Sequence, residues 1–131
     1  MSKNIHVLSD NYPIIVVRAT GEPSEEEIDA FVVEFDAVLA SHQGGFILIS
    51  DQSKEVIMGA KVRIKLGKSI NALSGKYSER EIAVFVVIPS VISRMMMNGI
   101  KLIARPNNKL SVAASFSEAM AKAEALQEVK A

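Results

Sequence analysis

The segment FILISDQSKEVI, residues 46–57, decides the fold class of this chain. Four apolar residues, two of them β-branched, run without interruption to Ser50 and stop at Asp51. A run this short and this sharply bounded predicts a strand rather than an isolated helix. Because its apolar character is continuous and does not alternate, we expect both of its faces to be buried, as in the central strands of α/β proteins.

A second run of the same kind, IAVFVVI at 82–88, predicts another buried strand. The segment EVIMGAKVRIKLGKSINALS, residues 55–74, lies between the two runs and has helical periodicity. Its expected inner face consists of Met58, Val62, Leu66, Ile70 and Leu73. Two buried strands joined by a helix predict parallel neighbours in one sheet.

The segments before residue 46 predict a hairpin followed by a helix. NIHVLS (4–9) and IIVVRA (14–19) are short strands separated by the turn sequence DNYP, and so short a connection implies an antiparallel pair. Ser24 and Glu27 then have the spacing of a capping box, which marks the start of a helix that ends before Gly44 and Gly45. Its expected inner face consists of Ile28, Phe31, Val32, Phe35, Val38 and Leu39.

The C-terminal third predicts a helix at VISRMMMNGIKLIA (91–104), a strand at LSVAASF (110–116) and a last helix from a Ser117 cap to about Val129. In that strand we expect one buried face and one solvent-exposed face, and the exposed face carries Ser111, Ala113 and Ser115. The complete order is ββαβαβαβα. It predicts an α/β protein with a mixed five-stranded sheet, flanked by helices and joined by right-handed crossovers after the hairpin.

Length and composition fit a single domain over residues 1–131. Apolar residues make up 49% and charged residues 23%, as in an ordinary folded protein. The N-terminus lacks a signal-peptide core and no apolar run reaches membrane-spanning length, so we expect a cytoplasmic protein that is not transmembrane. The absence of cysteine, two isolated histidines and 5% aromatic residues predict no metal site, no cofactor and no nucleic-acid partner.

The charges are segregated along the chain although the formal net charge is zero. Between Ala19 and Ser53 every charged residue is acidic, whereas bases predominate from Lys54 to Lys109. Such asymmetry can steer a charged partner or orient two copies of the protein. The alternative is that both helices simply expose solvated charged faces.

The second helix carries a candidate partner face. Ile57 and Ile64 fall opposite its core side, near Lys61, Lys65 and Lys68. An apolar stripe with a basic rim is typical of a dimer contact or of a docking site for an acidic partner. We therefore predict a homodimer, with the acidic first helix of another copy as one candidate partner. The candidate face comprises Ile57, Lys61, Ile64 and Lys68.

The third predicted helix carries a candidate apolar-ligand or partner face at Met95, Met96 and Met97. Apolar residues cover roughly half of this helix, and methionine adapts to varied apolar partners, whether a protein or an acyl chain. The alternative assigns Met95 and Met96 to the core, with Met97 exposed incidentally.

The element order, the acidic helix start after Gly21, Asp51 at a strand end and the tail FSEAMAKAEAL (116–126) resemble the SpoIIAA-like family, small bacterial proteins of the STAS type. The resemblance implies a protein-interaction module of the anti-sigma factor antagonist type. It also implies a phosphoacceptor serine after the third strand, which here would be Ser53. Asp51-Gln52-Ser53-Lys54 departs from the Asp-Ser-Ser-Gly type of motif, and the alternative role of Ser53 is a polar helix cap.

These observations predict a regulatory protein-interaction module that is not an enzyme, with a candidate switch loop at Asp51 and Ser53. No catalytic residue is assigned, because no nucleophile with a base nearby in the sequence is visible. The fold of the STAS type is also likened to CRAL-TRIO lipid-binding domains, which leaves a carrier of a small apolar ligand as the alternative function. An enzyme with an unrecognised site is the third option.

Overall fold

The computed structural model describes residues 4–51, 59–88 and 110–130. Within these residues the elements are β1 Ile5–Leu8, β2 Ile14–Ala19, α1 Glu25–Ala40, β3 Phe46–Asp51, α2 Ala60–Lys76, β4 Glu81–Val87, β5 Leu110–Ala113 and α3 Phe116–Lys130. The predicted order of these elements is confirmed. The helix predicted at 91–104 lies outside the described residues.

The five strands form one sheet in the order β1-β2-β3-β4-β5. β1 is antiparallel to β2, and each of the remaining neighbouring pairs is parallel. The prediction of a mixed five-stranded α/β sheet is therefore confirmed. The structure also supplies the register, which places Arg18 beside Asp51 at the carboxyl ends of β2 and β3.

α1 and α2 cover one face of the sheet. The buried side chains of α1 are Ile28, Phe31, Phe35 and Leu39, four of the six residues predicted for its inner face. Val32 and Val38, the other two, are half-buried against the same core. The ring centroids of Phe35 and Phe46 lie 5.9 Å apart in an edge-to-face arrangement, a geometry that aromatic pairs favour.

α3 covers the opposite face. Ala119 and Ala123 are fully buried there, and their small side chains allow the helix to pack closely on β3 and β4. β3 contributes Ile47 and Ile49 to this side and Phe46 to the other. Burial on both faces, predicted from the continuous apolar run, is thus confirmed for β3.

Two expectations for the C-terminal segment are wrong. Ala113 was expected on the solvent-exposed face, but only 1% of its surface is exposed, because α3 packs over that side of β5. The cap of α3 is Ser115 rather than Ser117: its Oγ accepts a hydrogen bond from the Glu118 N–H at 3.1 Å, and Glu118 accepts one from the Ala114 N–H. A run of small residues such as Ala and Ser does not distinguish the two faces by hydrophobicity, so only packing identified the buried side.

α2 begins later than predicted. Its first residue is Ala60, because Gly59 is extended with φ −68° and ψ 167° and therefore precedes the helix as its N-cap. The predicted inner residues Val62 and Leu66 pack against the core and Leu73 is buried, as expected. The first four residues of the predicted helix, 55–58, which include Met58, lie outside the described residues.

The N-terminus of α1 is bound to the segment before β1. Ser24 and Glu27 form the predicted capping box. The Glu27 carboxylate also accepts hydrogen bonds from the Asn4 backbone N–H at 2.7 Å and from Asn4 Nδ2 at 3.1 Å. The Asn4 backbone bond is the largest of the effects that hold the pKa of Glu27 below its usual value of 4.5.

A carboxylate whose pKa is lowered by folding stabilises the protein above its unfolded-state pKa, and this stabilisation is lost as the pH falls through the folded-state value. We therefore expect Glu27→Gln to reduce the loss of stability on acidification below pH 4.5. The measurement is the urea midpoint as a function of pH. Glu26→Gln, which removes the same charge from an exposed neighbouring position, reports the effect of net charge alone; identical pH slopes for the two variants would contradict the prediction.

Arg80, the residue before β4, binds the loop that follows α1, near the amino ends of the parallel strands. Its guanidinium donates to the carbonyl oxygens of Leu39, His42 and Gly44 at 2.9, 3.0 and 2.8 Å, and to the Tyr12 hydroxyl at 3.1 Å. The Tyr12 ring stacks on the His42 ring with a centroid distance of 4.0 Å. Arg80 thereby supplies donors to one carbonyl of the last turn of α1 and to two carbonyls of the loop after it, where no helical N–H follows to bind them.

We expect Arg80→Met to lower the free energy of unfolding by about 2 kcal/mol, because several part-buried acceptors lose a charged donor together. Arg63→Met is the matched control, since Arg63 is exposed on α2 and its replacement should change stability by no more than about 0.5 kcal/mol. Urea denaturation measures both. Equal stability of the two variants would show that the Arg80 contacts do not stabilise the fold.

Candidate functional site

Five residues, one from each strand, lie side by side across the sheet near the carboxyl ends of its parallel strands. We call this end of the sheet the carboxyl edge. The strand registers pair His6 with Arg18, Arg18 with Asp51, Asp51 with Val87, and Val87 with Ala113. The row lies on the face covered by α3, because Val87 and Ala113 belong to the core on that side. Its polar members, His6, Arg18 and Asp51, occupy three adjacent strands.

Asp51 and Arg18 form an ion pair at this edge. Arg18 Nε donates to Asp51 Oδ2 at 2.8 Å, and the Asp51 side chain is only 2% exposed, whereas that of Arg18 is 34% exposed. The Arg18 guanidinium carbon lies 5.1 Å from the ring centroid of Phe116, the first residue of α3, at cation–π distance. Asp51 is therefore an anchored residue of β3 and belongs to the strand rather than to the loop after it.

Of the two candidate switch residues, Asp51 is described and Ser53 lies outside the described residues. Ser50, which precedes Asp51, is half-buried within β3. Phosphorylation of Ser53 stays a prediction.

The candidate partner face on α2 is exposed where the structure describes it. Ile64 is 58% exposed, and Lys61 and Lys68 are also exposed. Ile57, the fourth residue of this face, lies outside the described residues. The expectation that Ile64 points away from the core is confirmed.

The acidic α1 and the basic α2 are joined to each other within one molecule. Lys65 Nζ lies 3.1 Å from both carboxylate oxygens of Asp29, and Lys76 Nζ lies 3.1 Å from Asp36 Oδ1. Part of the charge segregation seen in the sequence is therefore used to align two neighbouring helices. Exposed pairs of this kind contribute about 0 to 1 kcal/mol each, so they orient the helices more than they stabilise the fold.

Asp36 also accepts a hydrogen bond from the Tyr77 hydroxyl. This bond is the main reason that the pKa of Asp36 is lowered and the pKa of Tyr77 is raised. The hydrogen bond to Asp36 likewise raises the pKa of Lys76. The three groups form a charged cluster at the C-terminal end of α2, beside the Arg80 contacts.

The outer surface of α1 and α2 has one exposed apolar residue that the sequence did not predict. Val33 is 69% exposed, on the side of α1 opposite its buried face. Its helical position, away from the buried residues, is visible in the sequence, but a valine in a largely apolar helix gives no sign by itself that it faces solvent. Val33 and Ile64 together make the outer surface of this layer apolar at two points.

The predicted methionine face, Met95, Met96 and Met97, lies outside the described residues, so a ligand site there stays a prediction. An apolar cavity of about 20 Å³ lies between α1, α2 and the sheet, and it is only large enough for a water-sized molecule. A polar cleft of about 420 Å³ separates the hairpin turn from α3. It is lined by Asp10, Asn11, Tyr12, Ile14, Met120, Glu124 and Gln127.

Within the part of the chain that the structure describes, no group of three or more His, Cys, Asp or Glu residues is arranged to hold a metal ion. None of the helices described is both long and apolar enough to cross a membrane.

Comparison with known proteins gives no match to any family model and no significant match to a curated protein.

The unequal burial of Arg18 and Asp51 predicts unequal effects of their removal. Arg18→Met removes the cation that is bonded to a buried carboxylate and should destabilise the protein by about 2 kcal/mol or more. Asp51→Asn retains an oxygen acceptor and leaves Arg18 accessible to water, so its effect should stay below about 1 kcal/mol. Chemical denaturation of the two single variants and of the double variant measures the coupling. A larger effect of Asp51→Asn would contradict this description of the pair.

Proposed function

We propose that this chain is a non-enzymatic protein-interaction module that self-associates through the outer surface of α1 and α2. The observation that carries the proposal is the exposure of Ile64 among the exposed basic residues Lys61 and Lys68, beside an acidic helix that exposes Val33. Among the described residues, two of the three exposed large hydrophobic side chains lie on this one layer. Apolar contacts with a charged rim are typical of specific interfaces.

The arrangement of the two helices suits a symmetric dimer. α1 and α2 each connect neighbouring parallel strands, so they run in the same direction across one face of the sheet. A twofold axis parallel to the two helices would bring α1 of one copy onto α2 of the other, twice. An interface of this kind is self-complementary, since the same acidic and basic surfaces meet in both halves.

Charge complementarity supports a second copy as the partner. The ion pairs within the molecule use Asp29 and Asp36 on α1 and Lys65 and Lys76 on α2. Further acids, Glu25 and Glu26, are exposed on α1, and further bases, Lys61 and Lys68, are exposed on α2. Opposite charges facing each other across the dimer would speed association and define its orientation.

A regulatory role of the STAS type, acting in the cytoplasm, belongs to the same proposal. It is supported by the mixed α/β sheet and by the location of Asp51 at the carboxyl end of β3, immediately before the residues that contain Ser53. A phosphate on Ser53 would add about −1.5 to −2 charges two residues from the Arg18–Asp51 pair, enough to change a docking surface.

We expect Ile64→Asp to weaken self-association at least tenfold, because it removes about 1.5–3 kcal/mol of apolar burial and places a carboxylate at the contact. The fold should be retained, since Ile64 is largely exposed. Sedimentation equilibrium over a range of protein concentrations measures the dissociation constant.

Leu8→Asp is the matched control, because Leu8 is 39% exposed on β1, away from the α1 and α2 surface. It should associate as the original protein does. A folded Ile64→Asp variant with an unchanged dissociation constant, or a protein that is monomeric at all concentrations tested, would contradict the proposal.

A further inference from the structure

Arg18 is located where ligands commonly bind in open α/β sheets. It lies next to the last residue of β2, and its register partner Asp51 is the last residue of β3, so both are at the carboxyl ends of parallel strands. Ligands of open α/β proteins bind in the space beyond these ends. Charged groups at this edge are therefore positioned to meet a ligand.

Two contacts hold the Arg18 guanidinium in one orientation. Its Nε atom donates to Asp51 Oδ2 at 2.8 Å, and its Cζ atom lies 5.1 Å from the centroid of the Phe116 ring. The two terminal nitrogens, Nη1 and Nη2, have no hydrogen-bond acceptor among the described residues. About a third of the side chain is exposed, which makes these terminal donors accessible from solvent.

We propose that Arg18 anchors a binding site for a small tetrahedral oxyanion of the phosphate class. The terminal N–H groups of a guanidinium form a planar fork that matches two oxygens of such an anion. Because Asp51 and Phe116 already hold the side chain, binding loses less conformational entropy than it would with a free surface arginine.

The two nearby carboxylates affect this site differently. Asp51 opposes anion binding through its charge, but it occupies the Nε side of the guanidinium and leaves the terminal fork open. Glu118, in the first turn of α3, is engaged by the Ala114 N–H at 2.8 Å and by Lys122 Nζ at 3.2 Å. Asp51→Asn removes the negative charge but keeps a side-chain oxygen, so it should preserve or strengthen oxyanion binding. An ion pair with a purely structural role does not predict this outcome.

The test uses inorganic phosphate and free phosphoserine as probes, titrated into the full chain at constant ionic strength. Isothermal titration calorimetry measures the affinity of every variant, and the Arg18 Nε–Hε NMR resonance reports the site of binding in the proteins that retain Arg18. The decisive comparison is Asp51→Asn against the double variant Asp51→Asn with Arg18→Gln. Neither variant contains a buried carboxylate without a partner, so the comparison isolates the guanidinium. Arg63→Gln controls for the loss of a positive charge elsewhere.

We expect Asp51→Asn to bind phosphate at least as tightly as the original protein, and the double variant to bind at least tenfold more weakly, as the loss of charge-assisted hydrogen bonds implies. Arg63→Gln should leave the affinity unchanged. Tighter binding of phosphoserine than of inorganic phosphate would identify a phosphate monoester as the ligand, and equal binding would identify the free ion. The proposal is overturned if phosphate does not shift the Arg18 resonance, or if the two folded Asp51 variants bind equally.

Discussion

Burial of β3 on both faces is the constraint on which the rest of this structure depends. Ile47 and Ile49 face α3, while Phe46 contacts the aromatic side chains of α1. A strand that is apolar on both sides requires a layer of helices on each face, because every exposed apolar face would carry an unfavourable hydration free energy. The three-layer arrangement follows from this requirement.

The edge of the sheet formed by the amino ends of the parallel strands differs in chemistry from the edge formed by their carboxyl ends. At the amino edge, Arg80 uses its donors on carbonyl groups of the loop after α1 and on Tyr12, so its role is structural. At the carboxyl edge, Arg18 has one nitrogen bonded to a buried carboxylate and remains partly exposed. The two arginines thus have different surroundings: within the described residues Arg80 meets three backbone carbonyls and a hydroxyl, whereas Arg18 meets one carboxylate and the Phe116 ring.

The charge asymmetry of the sequence has two consequences in the structure. Asp29 and Asp36 bind bases of α2, which aligns the two helices within the molecule. Other acids of α1 and bases of α2 remain on the outer surface, around Val33 and Ile64. The proposed dimer uses this remaining charge between molecules, and its orientation would follow from the same complementarity that aligns the helices.

Local pattern by itself determined the α/β class, the order of the described elements, the capping box at Ser24 and the inner face of α1. These features depend on residues close in sequence, whose periodicity and spacing are directly visible. The amino acid sequence likewise indicated that Ile64 is exposed, because its position on α2 is opposite the apolar face.

Tertiary structure alone decided the Arg18–Asp51 pair, the Arg80 contacts and the burial of Ala113. Arg18 and Asp51 are 33 residues apart, and only the register between β2 and β3 makes them neighbours. Ala113 is buried because α3 returns over β5, which no local pattern of small residues can indicate. Contacts of this kind arise from the pairing of distant segments, and their chemistry appears only once the sheet has assembled.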